Sequence, residues 1–254
     1  MQDQFSRTEL LIGREAIIKL NASRVSVFGL GGVGSFTVEA LARAGIGSFN
    51  LIDFDDICLT NVNRQLLALH STIGKSKVEV MKKRILDINP KANVQVFKSF
   101  YSEQDANYFL GDKPDYVVDA IDTVKSKVSL AKECYQRKIS FVSSMGAGNR
   151  LNAYGFRAAD ISLTTGCPLA KAVRKLLKKE GITKGIKVVY SPEIPQQPLP
   201  LVDDCRSNCI CPGGDAHCTK KRQIPGSISF VPSVVGLLLA GEVINDLLGK
   251  KELG

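Results

Sequence analysis

Short apolar runs alternate along the chain with stretches in which apolar residues recur every three or four positions. The two periods predict strands and helices in alternation. Residues 25–28 read as a strand, 33–44 as a helix stopped by Gly45, and 49–53 as a second strand. Val78, Met81, Ile85 and Ile88 line one side of a helix that ends at Asn89-Pro90, and strands follow at 94–97 and 116–119. A helix over 124–137 and a strand over 139–143 complete the regular part. Ser6 and Glu9 fit a capping box, so a helix reaching about Leu20 is expected to precede the first strand. Strands separated by helices predict an α/β fold: a doubly wound, mainly parallel, Rossmann-like sheet with an N-terminal helix and a C-terminal extension.

Beyond Gly146 the pattern loosens into a helix opened by Pro168, a strand at 186–190, a Pro- and Cys-rich loop over about 191–226, and a closing helix over about 232–248. We expect a single domain, 1–254, with a nucleotide-binding half (1–150) and a half for substrate and dimer contacts (151–254). The 254 residues are 44% hydrophobic and 23% charged, which excludes a disordered chain. The longest apolar stretch, 234–243, is broken by Gly236, Gly241 and Glu242 and predicts a buried helix rather than a bilayer span. Asp3 and Glu9 do not fit a secretory signal, so a cytoplasmic location and no membrane partner are expected.

Gly29-Leu30-Gly31-Gly32-Val33-Gly34 lies between the first strand and its helix. Glycines there let the backbone turn tightly and approach a phosphate, whose charge then lies on the free amides of the helix start. Asp53 follows the last of these glycines by nineteen positions, where a carboxylate accepts hydrogen bonds from ribose hydroxyls. An adenosine nucleotide is the inference. Asp55, Asn61, Asn63, Arg64 and Gln65 come next, then Lys75 and Lys77 at a helix start, and Asp119 and Asp122 at the end of the fourth strand. Cleaving a triphosphate needs cations beyond the loop amides and Mg²⁺ held by carboxylates, so this set favours ATP over a dinucleotide. A nicotinamide-dependent oxidoreductase would leave Arg64, Lys77 and Asp122 without a task.

The net charge is +9, and much of it is concentrated. If 168 opens a helix, Leu169, Val173, Leu176 and Leu177 form its inner stripe while Lys171, Arg174, Lys175 and Lys178 share the outer side. Such a one-signed face is either a solvated surface or a track for RNA phosphates. Cys205, Cys209, Cys211 and Cys218, with His217, crowd one loop and suggest a structural Zn²⁺, although their spacing departs from the paired C-x2-C of zinc sites. Cys58, Cys134 and Cys167 stand in packed segments and are expected to be inert.

Gly29 to Ser35, Ala44-Gly45-Ile46-Gly47, Asp53-Phe54-Asp55, Thr60-Asn61-Val62-Asn63-Arg64-Gln65, Ile73-Gly74-Lys75-Ser76-Lys77, Ile88-Asn89-Pro90 and Asp119-Ala120-Ile121-Asp122 together resemble the ubiquitin-activating-enzyme-like adenylyltransferases. That family contains the molybdopterin and thiamine biosynthesis activators. The resemblance implies roles: Asp53 for ribose, Arg64 and Lys77 for phosphates, Asp122 for Mg²⁺, and Asn61 and Gln65 lining the pocket. Arg7 matches an arginine that reaches the partner's ATP in homodimers. Asn61-Val62-Asn63-Arg64-Gln65, Ser143-Ser144-Met145-Gly146-Ala147 and Ser229-Phe230-Val231-Pro232-Ser233-Val234 resemble the dehydratase branch, which acts on threonylcarbamoyladenosine beside the anticodon. That branch implies a tRNA substrate, ATP consumption, a homodimer, and sulfur-transfer proteins as a further class of partner. The competing reading is activation of the C-terminal glycine of a ubiquitin-like sulfur carrier, which shares the adenylation step. That reading calls for a mobile catalytic cysteine and a paired C-x2-C zinc motif, and the second is missing from the chain.

Overall fold

The computed structural model describes residues 3–199 and 225–250. Seven strands form one sheet: β1 (Arg24–Phe28), β2 (Ser48–Ile52), β3 (Asn93–Phe97), β4 (Tyr116–Asp119), β5 (Ser140–Ser144), β6 (Arg157–Asp160) and β7 (Lys187–Tyr190). Their order is β3-β2-β1-β4-β5-β7-β6, parallel throughout except that β6 runs antiparallel to β7. The Rossmann-like expectation is met, and the sheet continues through both halves of the chain.

Alternate strand residues enter two separate cores, as a sheet covered on both faces requires. Val25, Val27, Val118 and Val142 pack with α2 (Arg14–Ala22), α3 (Gly34–Ala44), α4 (Lys77–Ile88) and α8 (Phe230–Leu248). Phe28, Val117, Phe141 and Val188 pack with α5 (Ala106–Leu110), α6 (Val124–Arg137) and α7 (Pro168–Lys179). The strand order reverses between β1 and β4, so the crevice at their C-terminal ends is the place where such sheets bind ligands.

Several expectations are corrected. The N-terminal helix is two helices, α1 (Ser6–Ile12) and α2, broken at Gly13 with φ +88°. Ser6 does not cap it; the Asp3 carboxylate accepts from the Phe5 amide and the Ser6 hydroxyl. β2 stops at Ile52, so Asp53 stands just beyond the strand. On α7 the buried line is Ala170, Val173 and Leu177, with Leu169 and Leu176 only half-buried. α8 spans 19 residues and is long and apolar enough to cross a membrane by length and composition. It nevertheless packs as a core helix, burying Val231, Val235, Leu239 and Val243.

α8 crosses α3 at Gly236, where a Cβ would stand 2.4 Å from the Val33 carbonyl oxygen and 2.9 Å from the Phe36 Cβ. Thr37 Oγ1 donates to the Gly236 carbonyl at 3.0 Å across the same crossing. Gly236→Ala must push the helices apart, an overpacking cost of about 1–3 kcal/mol. The expected result is a lower thermal midpoint; an unchanged midpoint by calorimetry refutes this packing.

Candidate active site

The turn from β1 into α3 is forced by its glycines. A Cβ on Gly34 would lie 1.8 Å from the Gly29 carbonyl oxygen, and one on Gly29, at φ +91°, would lie 2.7 Å from the Ala120 oxygen. The chain therefore folds back on itself beside the exit of β4, leaving the start of α3 facing the crevice, with the Ser35 and Thr37 amides donating to the Gly31 and Val33 carbonyls. Asp53 closes this turn from the β2 side: Oδ2 accepts from the Leu30 amide at 2.6 Å and Oδ1 from the Asp55 amide at 2.9 Å. Burial raises the Asp53 pKa above the ordinary carboxylate value, with the Lys77 charge opposing it. Each oxygen keeps a lone pair for a ribose hydroxyl.

The second wall is the turn at residues 61–65. Ser35 Oγ accepts from the Leu66 amide at 3.2 Å and donates to the Gly31 carbonyl at 2.7 Å, joining this wall to the glycine turn. The approach is close, since a Cβ on Gly32 would stand 3.3 Å from Arg64 Cγ. Arg64 Nη1 donates to the Thr60 carbonyl and the Asn63 side-chain oxygen, each at 2.9 Å. Gln65 is buried, its Nε2 is 3.8 Å from the position of a Gly31 Cβ, and its Oε1 is buried without a hydrogen-bond partner. An orphaned acceptor beside a glycine turn fits a site completed by a ligand with hydrogen-bond donors. Asn61 Oδ1 instead accepts from the Cys58 amide at 3.1 Å, so its side chain caps its own turn.

Lys77 is buried at the start of α4, with Nζ 2.7 Å from the Asp55 carboxylate. Asp55 thus presents the lysine through its side chain and holds Asp53 through its amide. Asp122 is exposed on the segment leaving β4, two residues past the Ala120 carbonyl that crowds Gly29. Gly29, Gly31, Gly32, Gly34, Asp53, Asp55, Arg64, Gln65 and Lys77 are therefore brought together, with Asp122 at the rim.

Other candidates lie apart. Arg7 is exposed on α1, next to Phe5, whose ring packs on Gly45 at the far end of α3. Eleven residues of helix place that end about 16 Å from the glycine turn. On α7, Lys171, Lys175 and Lys178 are exposed, whereas Arg174 turns inward and donates to the Ile161 and Thr164 carbonyls. Cys205, Cys209, Cys211, Cys218 and His217 lie outside the described residues. Among the described residues no group of three His, Cys, Asp or Glu side chains could hold a metal ion. Cys58, Cys134 and Cys167 are buried, as their packed segments suggested, and the Thr60 hydroxyl donates to Cys58 Sγ.

Sequence reading missed two buried cations. Lys127 lies on the inward side of α6 among Leu130, Ala131 and Cys134, and a lysine within that stripe was the available signal. Arg150 is 2% exposed; its Nε donates to the Gly146 carbonyl at 2.8 Å, Nη1 donates to the Glu193 carbonyl, and its guanidinium lies over the Phe156 ring. It fixes the segment after β5 that forms the opposite lip of the crevice.

The model of the ThiF family matches residues 5–254. The tRNA threonylcarbamoyladenosine dehydratase of Bacillus subtilis is 48% identical over 100% of this chain and 98% of its own length. The Escherichia coli tRNA N6-threonylcarbamoyladenosine dehydratase TcdA, whose structure was solved in complex with ATP, superposes with a TM-score of 0.85 at 32% identity, covering 97% of this chain and 94% of that one. The molybdopterin-synthase adenylyltransferase of Escherichia coli is 34% identical but covers 55% of this chain and 53% of its own length.

The inward turn of Arg174 separates it from its neighbours in a testable way. Arg174→Ala takes the guanidinium from the Thr164 carbonyl, while the Ile161 carbonyl keeps the Thr164 hydroxyl; it is expected to cost about 1–3 kcal/mol in urea unfolding, whereas exposed Lys175→Ala stays within about 0.5 kcal/mol. Equal effects of the two changes contradict the assignment.

Proposed function

Because the chain belongs to the ThiF family, we propose that it is an ATP-dependent tRNA threonylcarbamoyladenosine dehydratase. The observation that carries this reading is the glycine turn ringed by Asp53, Arg64, Gln65 and Lys77, in a chain alike over its full length to dehydratases. The sulfur-carrier alternative is less well supported, since the adenylyltransferase relative aligns with only 55% of the chain.

A carboxylate is a poor acyl donor because its leaving group would be oxide. In the proposed reaction the threonyl carboxylate attacks the α-phosphorus of ATP, the bond to pyrophosphate breaks, and an acyl adenylate forms. A nitrogen of the same modified nucleoside then attacks the acyl carbon, a ring closes, and AMP leaves carrying the oxygen lost by the nucleoside. Ring closure is intramolecular and benefits from high effective concentration. The turn amides and Arg64 hold the polyphosphate, Asp53 orients the ribose, and Gln65 Oε1 accepts from the nucleotide. Lys77 exchanges its contact with Asp55 for the phosphates, bringing positive charge to the departing pyrophosphate. Mg²⁺, which binds one or two carboxylates together with phosphates, fits exposed Asp122 and would neutralise polyphosphate charge when bound.

The tRNA body would follow Lys171, Lys175 and Lys178 from the crevice along α7, whose N-cap residue Cys167 lies beside Gly146 at the lip. Such cations bind phosphates without reading sequence. A homodimer accounts for two further features. Arg7 is too far from its own glycine turn to serve it. Phe230, Leu237 and Leu238 of α8, with Leu10, Leu11 and Ile18 of α1 and α2, expose large apolar side chains. A ligase of this type acting on tRNA belongs in the cytoplasm.

Incubation with ATP, Mg²⁺ and tRNA carrying threonylcarbamoyladenosine is expected to remove one water from that nucleoside, read by mass spectrometry. Arg64→Ala should lower turnover about a hundredfold through loss of one charge-stabilising donor. An unchanged nucleoside with the wild-type chain defeats the reading, and an unaffected variant defeats the role of Arg64. Leu237→Lys is expected to give monomers in analytical ultracentrifugation and to lose turnover with the dimer; an active monomer argues against a contribution of Arg7 from the partner.

A further inference from the structure

Asp119, Ser143 and Ser144 at the ends of β4 and β5 form a closed network with Lys127 of α6 in the interior, none of the four more than 6% exposed. Lys127 Nζ donates to Asp119 Oδ2 at 2.6 Å, to Ser143 Oγ at 3.0 Å and to the Ser144 carbonyl at 2.9 Å. Ser143 Oγ in turn donates to Asp119 Oδ2 at 2.6 Å. An ammonium has three hydrogens, so this one is fully used. The other carboxylate oxygen, Oδ1, accepts from the Ile121 amide at 3.0 Å and fixes the turn that leads to Asp122.

We infer that Lys127 is a positioning residue for adenylation, acting through Asp119 and Ser144 to hold the nucleotide side of the crevice in register with its substrate side. This rests on the dehydratase reading. The exit of β4 carries Asp122 and crowds the glycine turn through Ala120. The exit of β5 begins at Ser144 and is pinned again two residues later, where Arg150 takes the Gly146 carbonyl. These two lips would hold ATP and the acyl acceptor of its phosphorus, and Lys127 joins their roots directly. Stability alone is a poor reason for a lysine here, because a buried ion pair gives no more than well-packed apolar residues of the same volume. What the pair adds is direction: each bond fixes one atom of one lip. In-line attack tolerates little error, and a displacement of about 1 Å costs about a hundredfold in rate.

The test removes the network without stranding a charge. The double variant Asp119→Asn, Lys127→Met is assayed well below its thermal midpoint for ATP affinity by calorimetry and for dehydration kinetics on modified tRNA. We expect ATP affinity and the KM for ATP to stay within about threefold while kcat falls about 30- to 100-fold. Ser143→Ala, which deletes one hydroxyl, decides the matter should the double variant fail to fold. Its kcat is expected to fall about three- to tenfold at unchanged ATP affinity. Unchanged kcat in a folded variant overturns the inference, as does a loss of kcat and ATP affinity in step, which a merely structural role produces. A wild-type chain that leaves the nucleoside intact overturns the reading beneath it as well.

Discussion

Two carbonyl oxygens, those of Gly29 and Ala120, occupy the space where side chains at 34 and 29 would otherwise stand. That crowding lets α3 start hard against the ends of β1 and β4, at the point where the strand order turns back. The position of the α3 amides follows from it, and so do those of Asp53, held by the Leu30 amide, and Ser35, held by the Gly31 carbonyl. Arg64 reaches the same place because Gly32 leaves room for it, with Gln65 beside it against Gly31. A single methyl group at position 34 would disturb all of these distances at once.

Among the described residues the buried Asp, Lys and Arg side chains gather at one end of the sheet. Asp53, Lys77, Asp119, Lys127 and Arg150 all lie at or just past the C-terminal ends of strands, or on helices abutting them, while the strand interiors are filled by Val, Phe and Leu. Burying charge is costly, and here the cost is offset by backbone groups and by opposite charges. Asp53 shows the balance. Its folded pKa is raised by burial, so its charge weakens the fold at neutral pH, and that penalty fades as pH falls through the raised value. A carboxyl group kept here against the cost of burial is a candidate for binding rather than for stability.

How much of this was legible in the sequence follows from the range of each signal. The alternation of periods located β1, β4, α3, α4 and α6 to within a residue or so, since each depends on its own apolar face. β6 was not legible: Arg157, Ala158, Ala159 and Asp160 carry no alternation, and the strand exists because β7 offers it an edge. The break at Gly13 was hidden by apolar residues that continue past it. In the site, the placement of the glycines and Asp53 was legible because it rests on local geometry. The inward turn of Arg174 and the cap formed by Asn61 were not, because both depend on which carbonyl or amide lies within reach. Lys127 was hidden for the same reason: its partners are 8, 16 and 17 positions away.

The placement of the thiols bears on how an acyl adenylate in this crevice would be consumed. A relay through cysteine needs an accessible thiol with a lowered pKa. Cys58, Cys134 and Cys167 are at most 8% exposed, and burial pushes the Cys134 pKa well above the ordinary thiol value. Cys167 comes nearest the lip, 3.7 Å from where a Gly146 Cβ would stand, but it is closed in at the start of α7 beneath that segment. Among the described residues, then, no side chain is placed to take the acyl group from AMP. In the proposed reaction the nucleophile arrives with the substrate, as an internal nitrogen of the modified nucleoside that need not diffuse to the acyl group. Such chemistry asks the protein for position rather than for reactive groups, which is what a rigid glycine turn and a buried lysine between two strand ends supply.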